Sequence, residues 1–415
     1  MYEPQAAPVA VGGVRWKILD TRRVPANVWF LGFTSLFTDI SSEMVASVLP
    51  LYLVVQLGLS PLAFGAIEGL SHALTAISRW CGGLLADRWR RHKEVAVLGY
   101  SLSALCRLAL LSAGSHAGAL GAVVAADRIG KGLRTPPRDA LISLSAPAAD
   151  LGTAFGVHRS LDAAGAMLGP LVAFAVLAAA QTRFDVVFVA AFSVAIVGLG
   201  VLVLFVNNPL ADSRATGPGR SIGRSLSLFR RADFRRTMVM VPLLAAFTIG
   251  DGFIFLALAE RMTFPARFFP LLFVATSLSY FMLAVPAGRM ADRLGRVPTL
   301  LAGHLVLALI YATLIDPPSS TPGIVTIVVL LGAYYAATDG VIPAMTSSLL
   351  PEDVRGSGLA FVGTAHSLGR VAAAIVFGWC WTQFGRDPAL AGFAAALVVG
   401  AVAAWFALRG QRGRA

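Results

Sequence analysis

The sequence predicts an all-α membrane protein, and three observations carry that prediction. Of its 415 residues, 57% are hydrophobic and 13% charged, where a soluble domain has about 45–50% and about 25%. Mean hydropathy is +0.74. Twelve stretches reach the ~20 mostly apolar residues that a bilayer crossing needs. A disordered chain is excluded, and a soluble enzyme is disfavoured because its surface would need more charge.

The stretches lie near residues 28–57, 62–86, 94–114, 117–142, 153–180, 186–206, 238–259, 268–288, 298–315, 322–349, 357–382 and 389–408. Residues 1–26 are polar, with Arg15, Lys17, Arg22 and Arg23 but no apolar core, so a cleaved signal peptide is not expected. Odd-to-even connections such as Gly58–Pro61 are short and poor in Lys/Arg. The opposite side holds Arg88, Arg90, Arg91, Lys93, Arg293, Arg296, Arg409, Arg412 and Arg414. The longest break, about 207–236, adds seven more arginines from Arg214 to Arg236. The positive-inside rule makes both termini and this linker cytoplasmic. The net charge of +12 therefore reads as topology rather than nucleic-acid binding. Cys81, Cys106 and Cys380 offer neither a disulfide framework nor a zinc spacing.

The halves repeat. Gly83–Arg91 closes helix 2 and Gly288–Arg296 closes helix 8, at an offset of 205; Pro137/Pro343 and Gly152/Gly358 differ by 206. Two tandem six-helix bundles follow. The expected division is a cytoplasmic segment 1–26, a bundle 27–206, a basic linker 207–237, a second bundle 238–408 and a tail 409–415.

Gly-x-Leu/Met-Ala-Asp-Arg-x-Gly-Arg after the second helix of each half resembles the signature loop of the major facilitator superfamily. The copy ending at Arg296 matches fully; the first has Arg90 where the turn glycine is usual. Arg128-Ile-Gly-Lys-Gly132 resembles the superfamily's helix-4 motif. Gly156, Gly165, Gly169 and Pro170 are similar to the helix-5 pattern of antiporters in the proton-coupled drug-efflux branch, with Ala173 and Phe174 replacing its last glycines. The resemblance implies the major facilitator fold, with helices 1, 4, 7 and 10 around a central cavity. It also implies a cytoplasmic gate of Asp87, Arg88 and Arg91, with Asp292, Arg293 and Arg296 in the second half and Arg138 and Asp139 nearby. Gly165 and Gly169 would let helix 5 approach a neighbour closely.

Charges inside membrane helices cost about 2.5–3.5 kcal/mol at the bilayer centre on insertion scales, so they face protein or a wet cavity. The expected cavity set is Asp39, Glu43, Asp127, Arg128, Lys131, Arg134, Asp251 and Asp339. Asp39 and Glu43 share one face of helix 1. Asp127, Lys131, Arg134 and Arg138 fall within about 60° on helix 4. The economical pairing sets Asp39 or Glu43 against Arg128 or Lys131. Asp339-Gly340 reads as a cavity residue or a helix break. A second cluster contains Glu68, His72 and Arg79 on helix 2, His158, Arg159 and Asp162 on helix 5, and His366 and Arg370 on helix 11; it reads as structural or gating pairs. Arg107 needs a partner that the sequence does not identify.

No His/Cys/Met set has metal-ligand spacing, no phosphate-binding glycine loop is present, and no nucleophile–base pair argues for an enzyme. The function expected is a monomeric, multi-pass inner-membrane secondary transporter, surrounded by lipid and without cofactor, exporting a small organic compound against protons. The alternatives are an importer of a metal chelate, siderophore or other nutrient, and a non-transporting scaffold or sensor.

Overall fold

The computed structural model describes residues 24–89, 91–147, 150–208, 228–261, 265–316, 321–350 and 355–409. Six long helices form the first half: α1 (Ala26–Leu51, continued by a π-helical turn Tyr52–Gln56), α2 (Pro61–Trp89), α3 (His92–Ser112), α4 (Ala117–Ser145), α5 (Leu151–Ala179) and α6 (Phe184–Phe205). The second half contains α7 (Ala232–Ala245), α8 (Asp251–Arg261), α9 (Phe269–Leu294), α10 (Arg296–Ile315), α11 (Thr321–Thr338), α12 (Val341–Ser348), α13 (Arg355–Phe384) and α14 (Arg386–Leu408).

Two expected helices are broken. The seventh stops at Ala245 and restarts at Asp251, and the tenth breaks at Asp339-Gly340. The arginine-rich end of the expected linker does not stay outside the bundle: α7 begins at Ala232 and takes in Arg235 and Arg236. The turn between α9 and α10 needs its glycine, since Gly295 has φ +103, a region costly to residues with a Cβ. Arg90, at the same place in the first half, lies outside the described residues.

Among the described residues, nine spans are long and apolar enough to cross a membrane by length and composition. The others, α2, α4 and the α7/α8 pair, carry Glu68, the Asp127–Asp139 charges and Asp251. Large apolar side chains are turned outward on the nine, with Leu204, Phe281 and Val399 each more than two-thirds exposed. Contiguous apolar surface of this kind suits lipid rather than water.

Packing repeats between the halves. Gly165 and Gly169 seat α5 on α1: a Cβ at Gly169 would stand 2.6 Å from Glu43 Cβ and 2.8 Å from Ile40 O. Gly369 seats α13 on α7 in the same way, with a Cβ 2.5 Å from Pro242 O. Gly99 and Gly130 bring α3 and α4 together, as Gly303 does for α10 and α11.

The halves meet at one end. Phe64, Phe253 and Phe377 stack edge-on at 4.8 and 5.0 Å, inside the largest buried apolar cluster, which draws on both halves. Leu62 N donates to Thr382 Oγ1 at 3.0 Å, and Gly378 lies against Pro61 O. At the other end, where α6 finishes and α7 begins, each half has its own core: one around Val28, Tyr100 and Leu141, the other around Phe234, Leu300 and Leu408. Among the described residues, buried apolar packing is thus shared between the halves at the far end and separate for each half at the linker end.

The glycine seam gives opposite outcomes for one substitution. Gly169→Ala is expected to cost about 1–3 kcal/mol by overpacking. Gly156→Ala, with nothing within 4 Å of the new Cβ, is expected to be neutral or stabilising by a few tenths of a kcal/mol, up to ~1, from helix propensity. Thermal unfolding of the two purified variants checks the difference in sign.

Candidate functional site

Among the described residues, three groupings of charged side chains lie within or between the bundles, apart from the linker-end cavity of about 1000 Å³ lined by Arg231, Asp233, Asp292, Arg293 and Arg296. The first is a clamp inside the first half. Arg107 of α3, 2% exposed, donates to the Asp127 carboxylate and to Ser103 O. It also reaches Ser42 Oγ at 2.8 Å and Ser41 Oγ at 3.3 Å. This supplies the missing partner of Arg107. Asp127 is thus held by Arg107 beside a small cavity, and Arg128 Nε stands off at 3.8 Å.

The second is a cavity of about 830 Å³ between α1, α4 and α5, towards the linker end. Asp39 faces Arg134 there at 3.5 Å, and Lys131, one of its expected partners, is within electrostatic reach of both Glu43 and Asp39. Arg134 also lies over the Tyr100 ring, 4.7 Å from its centroid. Arg138 is bonded to Asp139 at 2.9 Å and to Ser35 Oγ at 3.1 Å, and stands 3.6 Å from Asp162. Arg159 pairs with Asp162 one turn along α5 at 3.5 Å. Glu43 and Lys131 complete the lining. The α1–α5 glycine seam fixes this cavity, because a Cβ at Gly165 would lie 3.2 Å from Asp39 Cβ.

The third is a cavity of about 280 Å³ between the halves. The first half contributes Glu68 and His72 from α2 and Arg128 from α4; the second contributes Asp251, Tyr335 and Arg370. Asp251 opens α8 directly after the break and accepts a hydrogen bond from Tyr335 Oη at 2.5 Å. Glu68 lies against Gly250 in the break itself, where a Cβ would collide with its carboxylate. Glu68 Oε2 is buried without a hydrogen-bond partner, and so is Arg128 Nε. Arg370 and Arg128 are the cations within electrostatic reach of Glu68.

Spacing alone did not join Glu68, His72 and Arg370 to Arg128 and Asp251, because they sit on separate helices of opposite halves. The signal available was that each is an isolated charge in an apolar helix. Asp339 is exposed at its helix break and lines none of these cavities.

The expected gate is partly visible. The side chains of Asp87 and Arg88 lie outside the described residues. Arg91, Asp292 and Arg293 are exposed. Arg296 donates to Ala344 O, midway along α12, at 3.1 Å, and Arg231 to Leu349 O at 3.0 Å, which satisfies a carbonyl at the end of that helix. In the helix-5 motif Gly165 and Gly169 pack, Gly156 touches nothing, and α5 runs through Pro170 without interruption. Among the described residues no three His, Cys, Asp or Glu side chains form a metal cage.

This two-bundle arrangement around an inter-bundle cavity is that of a membrane transporter. The family model described as Major Facilitator Superfamily matches residues 31–267 and 252–414. An uncharacterised MFS-type transporter of Methanocaldococcus jannaschii is 30% identical over 374 residues, covering 87% of this chain and 90% of the relative. An uncharacterised protein of Mycobacterium tuberculosis is 32% identical over 173 residues, 41% of this chain and 42% of its own. Among solved structures, the nucleoside transporter NupG aligns with TM-score 0.78 at 14% identity, over 92% of this chain and 99% of its own. A bacterial homologue of the lysosomal transporter Spinster, inward-facing and unoccupied, aligns with TM-score 0.70 at 14% identity, over 92% and 96%. The chain belongs to the major facilitator superfamily, a family of transporters and not of enzymes.

Breaking the clamp has a clear expected cost. Arg107→Ala takes the hydrogen-bonded cation from half-buried Asp127 and leaves Arg128 at 3.8 Å; it is expected to destabilise by about 3 kcal/mol, the lower end of the range for a broken buried pair. Adding Asp127→Ala is expected to recover part of that loss, so the two costs are not additive. Denaturation of the single and double variants in detergent reads the coupling.

Proposed function

We propose that this chain is a secondary active transporter of the inner membrane, working by alternating access and moving a small, charged organic compound outward in exchange for protons. The observation that carries the reading is the inter-bundle cavity, where Glu68, His72 and Arg128 of one half face Asp251, Tyr335 and Arg370 of the other. A ligand bridging these groups would be held by both bundles at once, so rocking one against the other would change its exposure. The cavity's volume, about 280 Å³, is near the lower end for small-molecule sites and favours a compact solute. Acids and bases are both present, which suits a solute carrying charge of its own.

In this reading all twelve segments cross the membrane, including α2, α4 and the α7/α8 pair, whose charges turn into the cavities. Both termini and the linker are cytoplasmic by the distribution of arginine. The far end, where the halves share their packing, then faces outward, and the cavity beside Asp39 opens to the cytoplasm. The chain works as a monomer, with lipid on its apolar faces. The helix-5 pattern of Gly165, Gly169 and Pro170 supports export.

The test is flux in proteoliposomes holding a pH-sensitive dye and a panel of small charged organic compounds. At least one compound is expected to move protons in the direction opposite to itself. If no compound moves, or movement is indifferent to the proton gradient, the reading fails; uptake in the same direction as protons would instead support the importer. With a transported compound in hand, Glu68→Gln and Arg370→Ala are each expected to lower transport on the order of 10-fold or more, the size seen when a desolvated charge contact is truncated.

A further inference from the structure

The inter-bundle cavity holds opposite charges that share one space without pairing. Each half supplies one acid and one arginine: Glu68 and Arg128 from the first, Asp251 and Arg370 from the second. Buried opposite charges normally close into hydrogen-bonded pairs, because an ion held from water without a partner is strongly disfavoured. Among the described residues these four form no ion pair with one another.

We propose that this cavity is built for a small zwitterion, an aliphatic amino acid whose ammonium group is taken by the two acids and whose carboxylate is taken by the two arginines. The proposal rests on the transporter reading for its purpose and names the solute class of that same site.

Idle polar atoms mark the two poles. Glu68 Oε2 is buried with no hydrogen-bond partner, and so is Arg128 Nε. The acid beside Arg128 is Asp127, at 3.8 Å, and Asp127 is already taken by Arg107. Asp251 accepts a hydrogen bond from Tyr335 at 2.5 Å, which leaves lone pairs for a second donor. An ammonium group brings three donors, and a carboxylate can accept from a guanidinium through both oxygens. One zwitterion therefore answers all four groups. A plain anion would satisfy the arginines and set a further negative charge beside the idle Glu68. A plain cation would do the reverse at Arg128 and Arg370.

The acidic pole is formed by both bundles. A Cβ at Gly250 would collide with Glu68 Oε1, so the missing side chain there lets the acid of the first half reach the break of the second. Gly250 immediately precedes Asp251, which sets the acids of the two halves near each other. Elsewhere the walls include Phe64, Ile67, Val124 and Phe273. Apolar walls between polar groups suit methylene carbons, and a volume of about 280 Å³ suits a short chain of them.

The duplication does not account for these charges. An offset of 206 takes Glu68 and Arg128 to Val274 and Tyr334, and takes Asp251 and Arg370 back to Val45 and Ala164. Each half holds its acid and its arginine at positions of its own.

The experiment is isothermal titration calorimetry on the purified full chain in lipid nanodiscs. The probes are the straight-chain ω-amino acids from glycine to ε-aminocaproate, the same chains as plain carboxylates, and the same chains as plain amines. At least one amino acid is expected to bind ~10-fold or more tightly than both of its single-charge counterparts, the size seen when a desolvated charge contact is lost. Glu68→Gln is expected to weaken that amino acid on the order of 10-fold and to spare its carboxylate counterpart. Arg370→Gln is expected to weaken it similarly and to spare the amine. A substitution that only damaged the fold would weaken all three. The comparison of probes on the unaltered protein needs no variant, so a variant that fails to fold does not decide the matter. A carboxylate or an amine that binds as tightly as its amino acid, or no binding across the series, overturns the zwitterion. Amino-acid binding without flux would keep the zwitterion site and sink the transporter. Proton-linked flux of a singly charged compound without amino-acid binding would sink the zwitterion and leave the transporter standing.

Discussion

The cost of placing charge in an apolar medium organises this protein. Each ionised side chain at membrane depth needs a counter-charge, a hydrogen-bond partner or water. The chain meets that constraint by concentrating such residues on few helices and turning them inward. Arg107 is matched by Asp127 and two serines. Arg138 is matched by Asp139 and Ser35. Lipid then meets helices such as α6, α9 and α14, whose outward side chains are apolar.

Glycine provides the geometry that these pairs need. Without side chains at Gly165 and Gly169 the α5 backbone reaches α1 beside Asp39 and Glu43. Gly99 and Gly130 do the same for α3 and α4, which brings Arg107 to Asp127. Van der Waals contact between backbones replaces the hydrophobic drive that lipid cannot supply. The end shared by the halves is held by one apolar cluster that includes aromatic contacts such as Phe64 on Phe253, and the other end has two separate cores. Among the described residues the buried apolar packing joins the halves at one end, and two bundles joined there can pivot about it.

Helix breaks mark where the backbone itself enters the site. Asp251 begins α8 after five residues outside helix, and Glu68 lies against that unwound stretch. Irregular backbone at membrane depth survives only where protein or a wet cavity satisfies it. The break therefore belongs with the inter-bundle cavity in both position and chemistry.

Much of the fold is legible in one dimension. Hydropathy marks the helical segments, and the offset of 205–206 shows the duplication. Each of these depends on composition or on spacing along one helix. The site is legible only in part. The sequence singled out Asp39, Arg128 and Asp251 as charges in apolar helices, and left Glu68, Arg370 and Asp162 as local pairs. It could not tell that Asp39 meets Arg134, that Arg107 takes Asp127, or that Glu68 and Arg370 share a cavity. Those are meetings between helices far apart in the chain, fixed by glycine seams and by the rotation of each helix about its axis. The sequence by itself determined which residues cannot face lipid. Only the tertiary structure decided which of them neutralise one another and which stay free, because pairing depends on distances of a few ångströms across helix interfaces.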